Sequence, residues 1–160
     1  MKAASSLVLS ETESKQKSGL SNLSRLRHLD LSGTSVTSLT LCHGLDSPDL
    51  RHLAVAQCRA GLVTDIGLQE MCRRHRRLSH LNLSSSCISD MGLLASVSHT
   101  PRLTNLDLSK CSMLTPSCLS PLAHLCPNIQ TLLLSGSGVC NQETVRIVKE
   151  CFHYIKRIDI

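Results

Sequence analysis

Aromatic side chains are almost missing from this chain of 160 residues, which has one Tyr, one Phe and no Trp. A cofactor pocket lined with aromatic rings, or a platform on which nucleic-acid bases stack, has very little to be built from. We therefore expect no cofactor, an aliphatic core and no role in nucleic-acid binding through stacking.

Long apolar runs are missing as well. The N-terminal stretch from Ala3 to Leu9 is broken by Ser5 and Ser6, so it does not read as a signal peptide, and no segment reaches membrane-spanning length. The sequence predicts no membrane partner and a cytoplasmic protein, with a nuclear location as a further possibility.

Motifs for catalysis are not found either: there is no nucleophile elbow, no phosphate-binding loop and no paired-acid motif. The histidines, serines and cysteines are spread along the chain instead of being grouped as nucleophile, base and orienting acid. We expect that the protein is not an enzyme.

What the chain does contain is a repeated apolar triplet of the form L-x-x-L-x-L. It occurs six times, at Leu26, Leu29, Leu31; Leu50, Leu53, Val55; Leu78, Leu81, Leu83; Leu103, Leu106, Leu108; Ile129, Leu132, Leu134; and Ile155, Ile158, Ile160. The triplets recur every 24 to 28 residues, inside the range of about 20–29 at which leucine-rich repeats stack.

The triplet and the residues after it predict one strand and one helix per repeat. The second and third triplet residues are two apart, so they bury on the same face of a strand. Helically spaced apolar residues follow, for example Ile66, Leu68, Met71 and Cys72. The predicted fold is an α/β leucine-rich-repeat solenoid, a right-handed horseshoe arc of about five to six repeats with parallel strands on the concave face and helices on the convex face.

The two ends depart from the regular pattern. A weaker triplet at Ala4, Leu7 and Leu9 precedes a Ser- and Lys-rich stretch, so residues 1–25 are predicted to form a degenerate or partly disordered first repeat and residues 26–160 the leucine-rich-repeat domain. The last triplet has no polar cap after it, which predicts an uncapped C-terminal strand. We expect the chain to be a piece of a longer array or a shortened isoform.

Capping residues support the helices, because one stands at a similar place in each of four repeats. The pairs are Thr64 before Asp65, Ser89 before Asp90, Thr115 before Pro116, and Asn141 before Gln142. Ser, Thr and Asn accept hydrogen bonds from free N–H groups at a helix start, and acids there complement the helix dipole.

The nine cysteines follow the repeat and contain no C-x-x-C pair. Cys58 and Cys111 each lie eight residues after the first triplet residue, while Cys72, Cys126 and Cys151 end predicted helices. We interpret them as reduced packing residues, and we expect no metal site because tetrahedral sites need clustered ligands.

The repeat that begins at Leu103 continues with Cys111, Leu114-Thr115, Leu119, Leu122 and Cys126-Pro127. It resembles the cysteine-containing leucine-rich repeat of the F-box and leucine-rich-repeat family, whose members are substrate receptors of Skp–cullin–F-box ubiquitin ligases. The resemblance covers roughly residues 20–160 and implies a ubiquitin-pathway role in which the solenoid grips a target. The F-box itself is not visible in this sequence, so Skp–cullin components are implied as partners only if an F-box is present elsewhere.

Parallel strands place equivalent outward residues in columns on the concave face. One column reads His28, His52, His80, Asn105, Thr131, Arg157, and its neighbour reads Asp30, Ala54, Asn82, Asp107, Leu133, Asp159. From these columns we predict a partner-binding site formed by His28, Asp30, His52, His80, Asn82, Asn105, Asp107, Thr131 and Arg157.

The three successive histidines raise two alternatives, a metal site and a pH-sensitive site. We favour the simpler interpretation that His is tolerated on a solvated strand face, because ligands in a straight row do not converge tetrahedrally.

The formal net charge is +5, and the densest basic run is from Arg73 to Arg77. We interpret this run as the solvated end of a helix, where positive charge complements the helix dipole. The alternatives are a nuclear-localisation or nucleic-acid patch.

The function predicted from these observations is a noncatalytic protein-protein interaction module, a substrate-recognition segment connected to a Skp–cullin–F-box ubiquitin ligase. The alternative is a free-standing adaptor or inhibitor with no ligase connection. The predicted partner is a protein target on the concave face.

Overall fold

The chain folds as one parallel sheet with a strand from each repeat. The computed structural model describes the backbone of residues 6–8 and, with side chains, residues 25–37, 47–58 and 63–160. Within these residues there are seven strands: β1 Ser6–Val8, β2 His28–Asp30, β3 His52–Ala54, β4 His80–Asn82, β5 Asn105–Asp107, β6 Thr131–Leu133 and β7 Arg157–Asp159. The strands lie in chain order and each pairs in parallel with the next, as the triplet period predicts.

Helices connect successive strands from the third repeat onward. They are α1 Asp65–Arg74, α2 Asp90–Val97, α3 Leu119–Leu125, which continues a 3-10 turn at Pro116–Cys118, and α4 Gln142–Cys151. Each helix packs on the helix of the next repeat. The sheet and the helix layer together form the predicted solenoid arc.

The first repeats are described only in part. β1 falls on the weaker triplet copy and pairs with β2 through Leu7 and Leu29. Residues 9–24 lie outside the described residues, so the degenerate or partly disordered repeat at 1–25 and its boundary at residue 26 stay a prediction.

The core is aliphatic and continuous from repeat to repeat. Every triplet residue from Leu26 to Leu134 is buried, and Leu68, Met71 and Cys72 join them from α1. Ile66 is a correction to the predicted helical stripe: its side chain is 77% exposed. It lies on the first turn of α1, on the face turned away from the sheet, whereas Leu68 and Met71 face the core.

Three of the four predicted helix caps form as expected. Thr64, Ser89 and Asn141 accept hydrogen bonds from the backbone N–H of Gly67, Gly92 and Thr144, respectively. The prediction was wrong for Thr115, whose side chain makes no capping bond. Its hydroxyl donates instead to Asp90 of the preceding repeat, and the helix begins through the 3-10 turn.

The Asp that follows each of the first two caps links one repeat to the next. The Asp65 carboxylate accepts hydrogen bonds from the backbone N–H of Ser89, at 3.1 Å, and from its hydroxyl. Asp90 holds Thr115 in the same way, with 2.8 Å between its oxygen and the Thr115 nitrogen. These acids therefore tie adjacent repeats together in addition to complementing a helix dipole.

The last described strand, β7, pairs with β6 along one side, and its residues are exposed. Ile158 and Ile160 keep 39% and 40% of their surface accessible. One edge of β7 is therefore unpaired among the described residues, and the lack of a C-terminal cap stays a prediction. Of the helices in the described part of the chain, none is both long and apolar enough to cross a membrane.

Candidate partner-binding face

The two predicted columns form on the concave face as the sequence indicates. The parallel register aligns His28, His52, His80, Asn105, Thr131 and Arg157 as direct neighbours. The second column, from Asp30 to Asp159, is aligned in the same way, and every member of the two columns except Asp159 lines an open groove of about 460 Å³. The structure thus brings together all nine predicted site residues, and their role in binding stays a prediction.

The histidines of the first column stack face to face. The ring centroids of His28 and His52 are 4.0 Å apart and those of His52 and His80 are 3.9 Å apart. Burial, together with the nearby charges of His80, His28 and Arg51, lowers the pKa of His52 to about 4. Burial and His28 also lower the pKa of His80. At neutral pH these two rings are therefore uncharged.

Stacking also bears on the metal alternative. A metal ion binds a ring nitrogen in the plane of that ring, so the lone pairs of stacked rings run side by side and do not converge on one ion. Across residues 25–37, 47–58 and 63–160, no group of three His, Cys, Asp or Glu side chains is arranged to hold a metal ion. The geometry favours the interpretation of a polar strand face.

The second column has a structural role that the columns alone did not reveal. Asp30, Asn82 and Asp107 each accept a hydrogen bond through Oδ1 from the backbone N–H two residues later, at 2.8 to 2.9 Å. These bonds hold the turns that end β2, β4 and β5. The signal was present in the sequence as a recurrent Asx-Leu-Ser, because Asp and Asn favour such turns.

Side chains in front of the strands orient part of the first column. Ser79 Oγ lies 2.9 Å from His80 Nδ1, and Thr104 Oγ1 lies 2.8 Å from the side-chain amide of Asn105. Both Ser79 and Thr104 are themselves fixed, because their hydroxyls donate to the backbone carbonyl of the preceding repeat. The first column thus presents oriented polar groups to the groove.

Arginines at the edge where the strands begin were missed as a group by the sequence reasoning. This basic edge comprises Arg25, Arg27, Arg51, Arg76, Arg77 and Arg102, all of them exposed. The last three line a shallow cavity of about 400 Å³ with Ser98, His99 and Pro101. The available signal was Arg next to the first residue of successive triplets.

The run from Arg73 to Arg77 is divided by the fold. Arg73 and Arg74 close α1 and pair with Glu70. His75 is buried, with Nδ1 2.8 Å from the Met71 carbonyl oxygen, and only Arg76 and Arg77 reach the basic edge. The first part of the run therefore matches the predicted solvated helix end, and the second part belongs to a different surface.

The repeated cysteines donate hydrogen bonds to backbone carbonyls of the preceding repeat. Cys58 Sγ lies 3.4 Å from the Leu31 oxygen and Cys111 Sγ lies 3.2 Å from the Leu83 oxygen. Burial raises the pKa of both thiols, which opposes formation of a reactive thiolate. All eight cysteines in the described residues are free thiols.

The sheet has one short parallel strand per repeat and is backed by helices, and it combines a leucine core with aligned outward columns. This architecture defines a leucine-rich-repeat protein. Solved structures agree: an internalin of Listeria monocytogenes matches with a TM-score of 0.63 over 87% of this chain and 36% of that chain, at 20% identity. At that identity the likeness shows the fold.

Curated proteins with leucine-rich repeats are similar in sequence. The F-box/LRR-repeat protein 4 of Bos taurus is 29% identical over 139 residues, which is 84% of this chain and 22% of that protein. The NACHT, LRR and PYD domains-containing protein 12 of Mus musculus is 32% identical over 115 residues, 64% of this chain and 11% of that protein. This chain therefore spans about a fifth or less of the relatives it matches. No family model matches it.

Proposed function

We propose that this chain is a noncatalytic module that binds a protein target on its concave face. The observation that carries the proposal is the first column, in which six outward side chains from His28 to Arg157 stand in register along a groove of about 460 Å³. Such a groove suits an extended segment of a protein, which contacts one repeat after another.

The concave face is preformed in the chain without a partner. Its strands are held by continuous backbone pairing, and His80 and Asn105 are oriented by Ser79 and Thr104. A surface of this kind loses little conformational freedom on binding, so more of the contact energy goes into affinity.

More narrowly, the target is proposed to be a substrate selected for ubiquitin ligation by a Skp–cullin–F-box ligase, in the cytoplasm or nucleus. Support comes from the cysteine-containing repeat at Leu103–Pro127 and from the similarity to a protein named for an F-box and leucine-rich repeats. The eight free thiols of the described residues, four of them buried, fit a reducing compartment.

The second candidate is a free-standing adaptor or inhibitor. It is supported by the similarity to the NACHT protein, whose name includes leucine-rich repeats but no F-box. Under this alternative the same concave face occupies a partner without recruiting a ligase.

Affinity capture from cells with the tagged chain tests the main proposal. The concave variant carries His80→Ala, Asn105→Ala and Thr131→Ala, and the matched control carries Glu143→Ala, Arg146→Ala and Lys149→Ala on the exposed face of α4. We expect specific partners to be lost with the concave variant and kept with the control. Partners that survive the concave substitutions and disappear with the control would overturn the proposal.

The same captures decide between the two candidates. Detection of the Skp adaptor and a cullin with the wild-type chain, or with a longer form of it, supports the ligase connection. Capture of a concave-face partner from which both are absent supports the adaptor or inhibitor.

A further inference from the structure

We propose that the basic edge binds a carboxylate-rich segment of the partner protein, which runs along the starts of β2 to β5 beside the histidine column. This inference rests on the proposed function, because it names the chemistry of the target that the concave face would hold. The basic edge lies outside the nine residues predicted from the columns.

The arginines follow one another along the sheet edge. The Arg27 carbonyl accepts hydrogen bonds from the backbone N–H of Arg51 and His52, and the Arg51 carbonyl accepts those of Ser79 and His80. Arg27 and Arg51 are therefore on adjacent strands, about 4.8 Å apart at the backbone. A peptide crossing the strands meets a new positive charge at almost every repeat.

Three arginines of the basic edge lie close together before β4 and β5. Arg76, Arg77 and Arg102 line the cavity of about 400 Å³ with Ser98 and His99. Arg76 Nε donates to the Arg73 carbonyl, which holds the guanidinium group beside the turn. Guanidinium groups present several N–H donors in a planar fork that matches a carboxylate, so the cavity suits an acidic side chain.

Charge is separated across the concave face. Among the described residues at the starts of β2 to β5, Asp49 is the one acid, and it pairs with Arg77. The other acids nearby lie where the strands end or at the helix starts that follow, as Asp30, Asp65, Asp90 and Asp107 do. An anionic segment is therefore attracted to one edge and repelled from the other.

The same distribution favours a short acidic peptide over nucleic acid. Asp30 and Asp107 in the second column oppose a continuous phosphate backbone lying across the groove. The basic edge also carries no Phe, Tyr or Trp side chain on which a base could stack. Carboxylates spaced along an extended peptide can instead follow the arginines alone.

The probe is a fluorescent peptide of about 12 residues with Glu at alternate positions, long enough when extended to cross the basic edge. Its counterpart has Gln at the same positions, and a single-stranded DNA of similar charge is the competitor. Fluorescence anisotropy with the whole chain at low salt should show binding of the Glu peptide and none of the Gln peptide. Raising the salt should weaken binding about tenfold, since the attraction is between exposed charges.

Two variants change the edge in opposite directions. Arg76→Glu with Arg102→Glu should lower the affinity for the Glu peptide about tenfold or more, whereas Asp49→Asn should raise it about two- to threefold by freeing Arg77 from its acid. The control, Arg146→Glu with Lys149→Glu, makes the same total change in charge on exposed positions of α4. Circular dichroism confirms that each variant is folded.

The inference is overturned if the Arg76/Arg102 reversal and the α4 reversal weaken the peptide equally, if Asp49→Asn has no effect, or if the DNA displaces the Glu peptide at a lower concentration than unlabelled peptide does. Its failure is separate from that of the proposed function. Partners lost with the concave variant and kept with Arg76→Glu/Arg102→Glu would leave the concave face as the binding site and remove only the acidic segment.

Discussion

The two edges of the concave face use polar residues in different ways. Where the strands end, Asp30, Asn82 and Asp107 hold backbone turns, and Asp65 ties one repeat to the next. Where the strands begin, the arginines of the basic edge are exposed, and within it Arg77 is paired with Asp49. Polar side chains thus have a structural role at the edge where the strands end and are accessible to a partner at the edge where the strands begin. We expect substitutions at the first edge to reduce stability and those at the second to change binding.

The largest effect on stability is expected at Gly138, in the loop that follows the end of β6. A Cβ atom there would lie 2.2 Å from the Leu114 carbonyl oxygen and 2.8 Å from that of Ser112. Because backbone has to move, Gly138→Ala should lower the free energy of unfolding by about 3 kcal/mol, measured by urea denaturation.

The matched control for that substitution is Gly136→Ala in the same loop. Gly136 has a positive φ of 68° but meets nothing closer than the Lys110 side chain at 3.5 Å. The cost there is conformational and should be about 1 kcal/mol. Equal losses for the two variants would show that the strand-end edge is not crowded by the neighbouring repeat.

The next largest effect is expected for the acid that joins two repeats. Asp65→Ala removes the acceptor of the Ser89 N–H and hydroxyl, and hydrogen bonds to a charged group contribute about 1.5–3 kcal/mol. We expect a loss of about 2 kcal/mol in thermal or urea unfolding. Glu143→Ala, which removes an exposed first-turn acid of α4, should cost about 0.5 kcal/mol or less, and a similar loss for both would refute the inter-repeat link.

The two edges can be compared directly by substituting one residue from each edge within the same repeat. Asp107→Ala removes the acceptor that holds the turn after β5 and should cost about 1 kcal/mol of stability. Arg102→Ala, before β5, should change stability by less than about 0.5 kcal/mol while weakening the Glu peptide. If Arg102→Ala proves as destabilising as Asp107→Ala, the division between the edges is wrong.

The last effect, no larger than that of Asp107→Ala, concerns the pH dependence of the histidine column. The pKa of His52 is about 4 in the folded chain against 6.5 for an ordinary His, through burial and the neighbouring His80, His28 and Arg51. The unfolded chain therefore binds more protons between these values, so stability is fully present above pH 6.5 and falls as the pH is lowered towards 4. Since the side chain is only partly buried and solvent still screens it, we expect a contribution of about 1 kcal/mol.

His52→Asn tests this contribution. Its free energy of unfolding should fall less steeply than that of the wild type between pH 6.5 and pH 4, measured by urea denaturation at several pH values. His99→Asn, remote from the stacked rings on the turn after α2, is the control and should keep the wild-type slope. Parallel curves for wild type and His52→Asn would contradict the role assigned to the stack.

Much of the fold followed from the sequence because a single spacing rule repeats. The triplets gave the strands, their register and therefore the two columns, since parallel pairing leaves no freedom once the period is known. Features that depend on contacts between repeats were not predicted. The hydrogen bonds that Ser89 donates to Asp65 and Thr115 donates to Asp90 join residues 24 and 25 positions apart, and no local pattern reports such a pair.

The alignment of the two columns was predicted, but the division of roles among their residues was not, and their part in binding stays a prediction. Asp107 and Asn105 look alike as outward polar residues and both line the groove, but Asp107 also accepts a hydrogen bond from the Ser109 backbone N–H and so holds a turn. Arg76 and Arg102 are 26 positions apart in the sequence, and the cavity that joins them is made by two successive turns. Reading the basic run from Arg73 to Arg77 as one unit concealed this, because the buried His75 divides it.

The most direct test of the account is a titration of the isotopically labelled chain with the Glu peptide. The NMR chemical shifts of the chain's backbone amides are measured at each peptide concentration. We predict shifts concentrated where the strands begin, at Arg27, Arg51, Ser79 and Thr104, and around Arg76 and Arg102. The amides of the strand-end turns and of the Asp65–Ser89 link should stay unchanged. Shifts confined to those turns, or to the outer faces of the helices, would contradict the assignment of binding to the basic edge and of structure to the other.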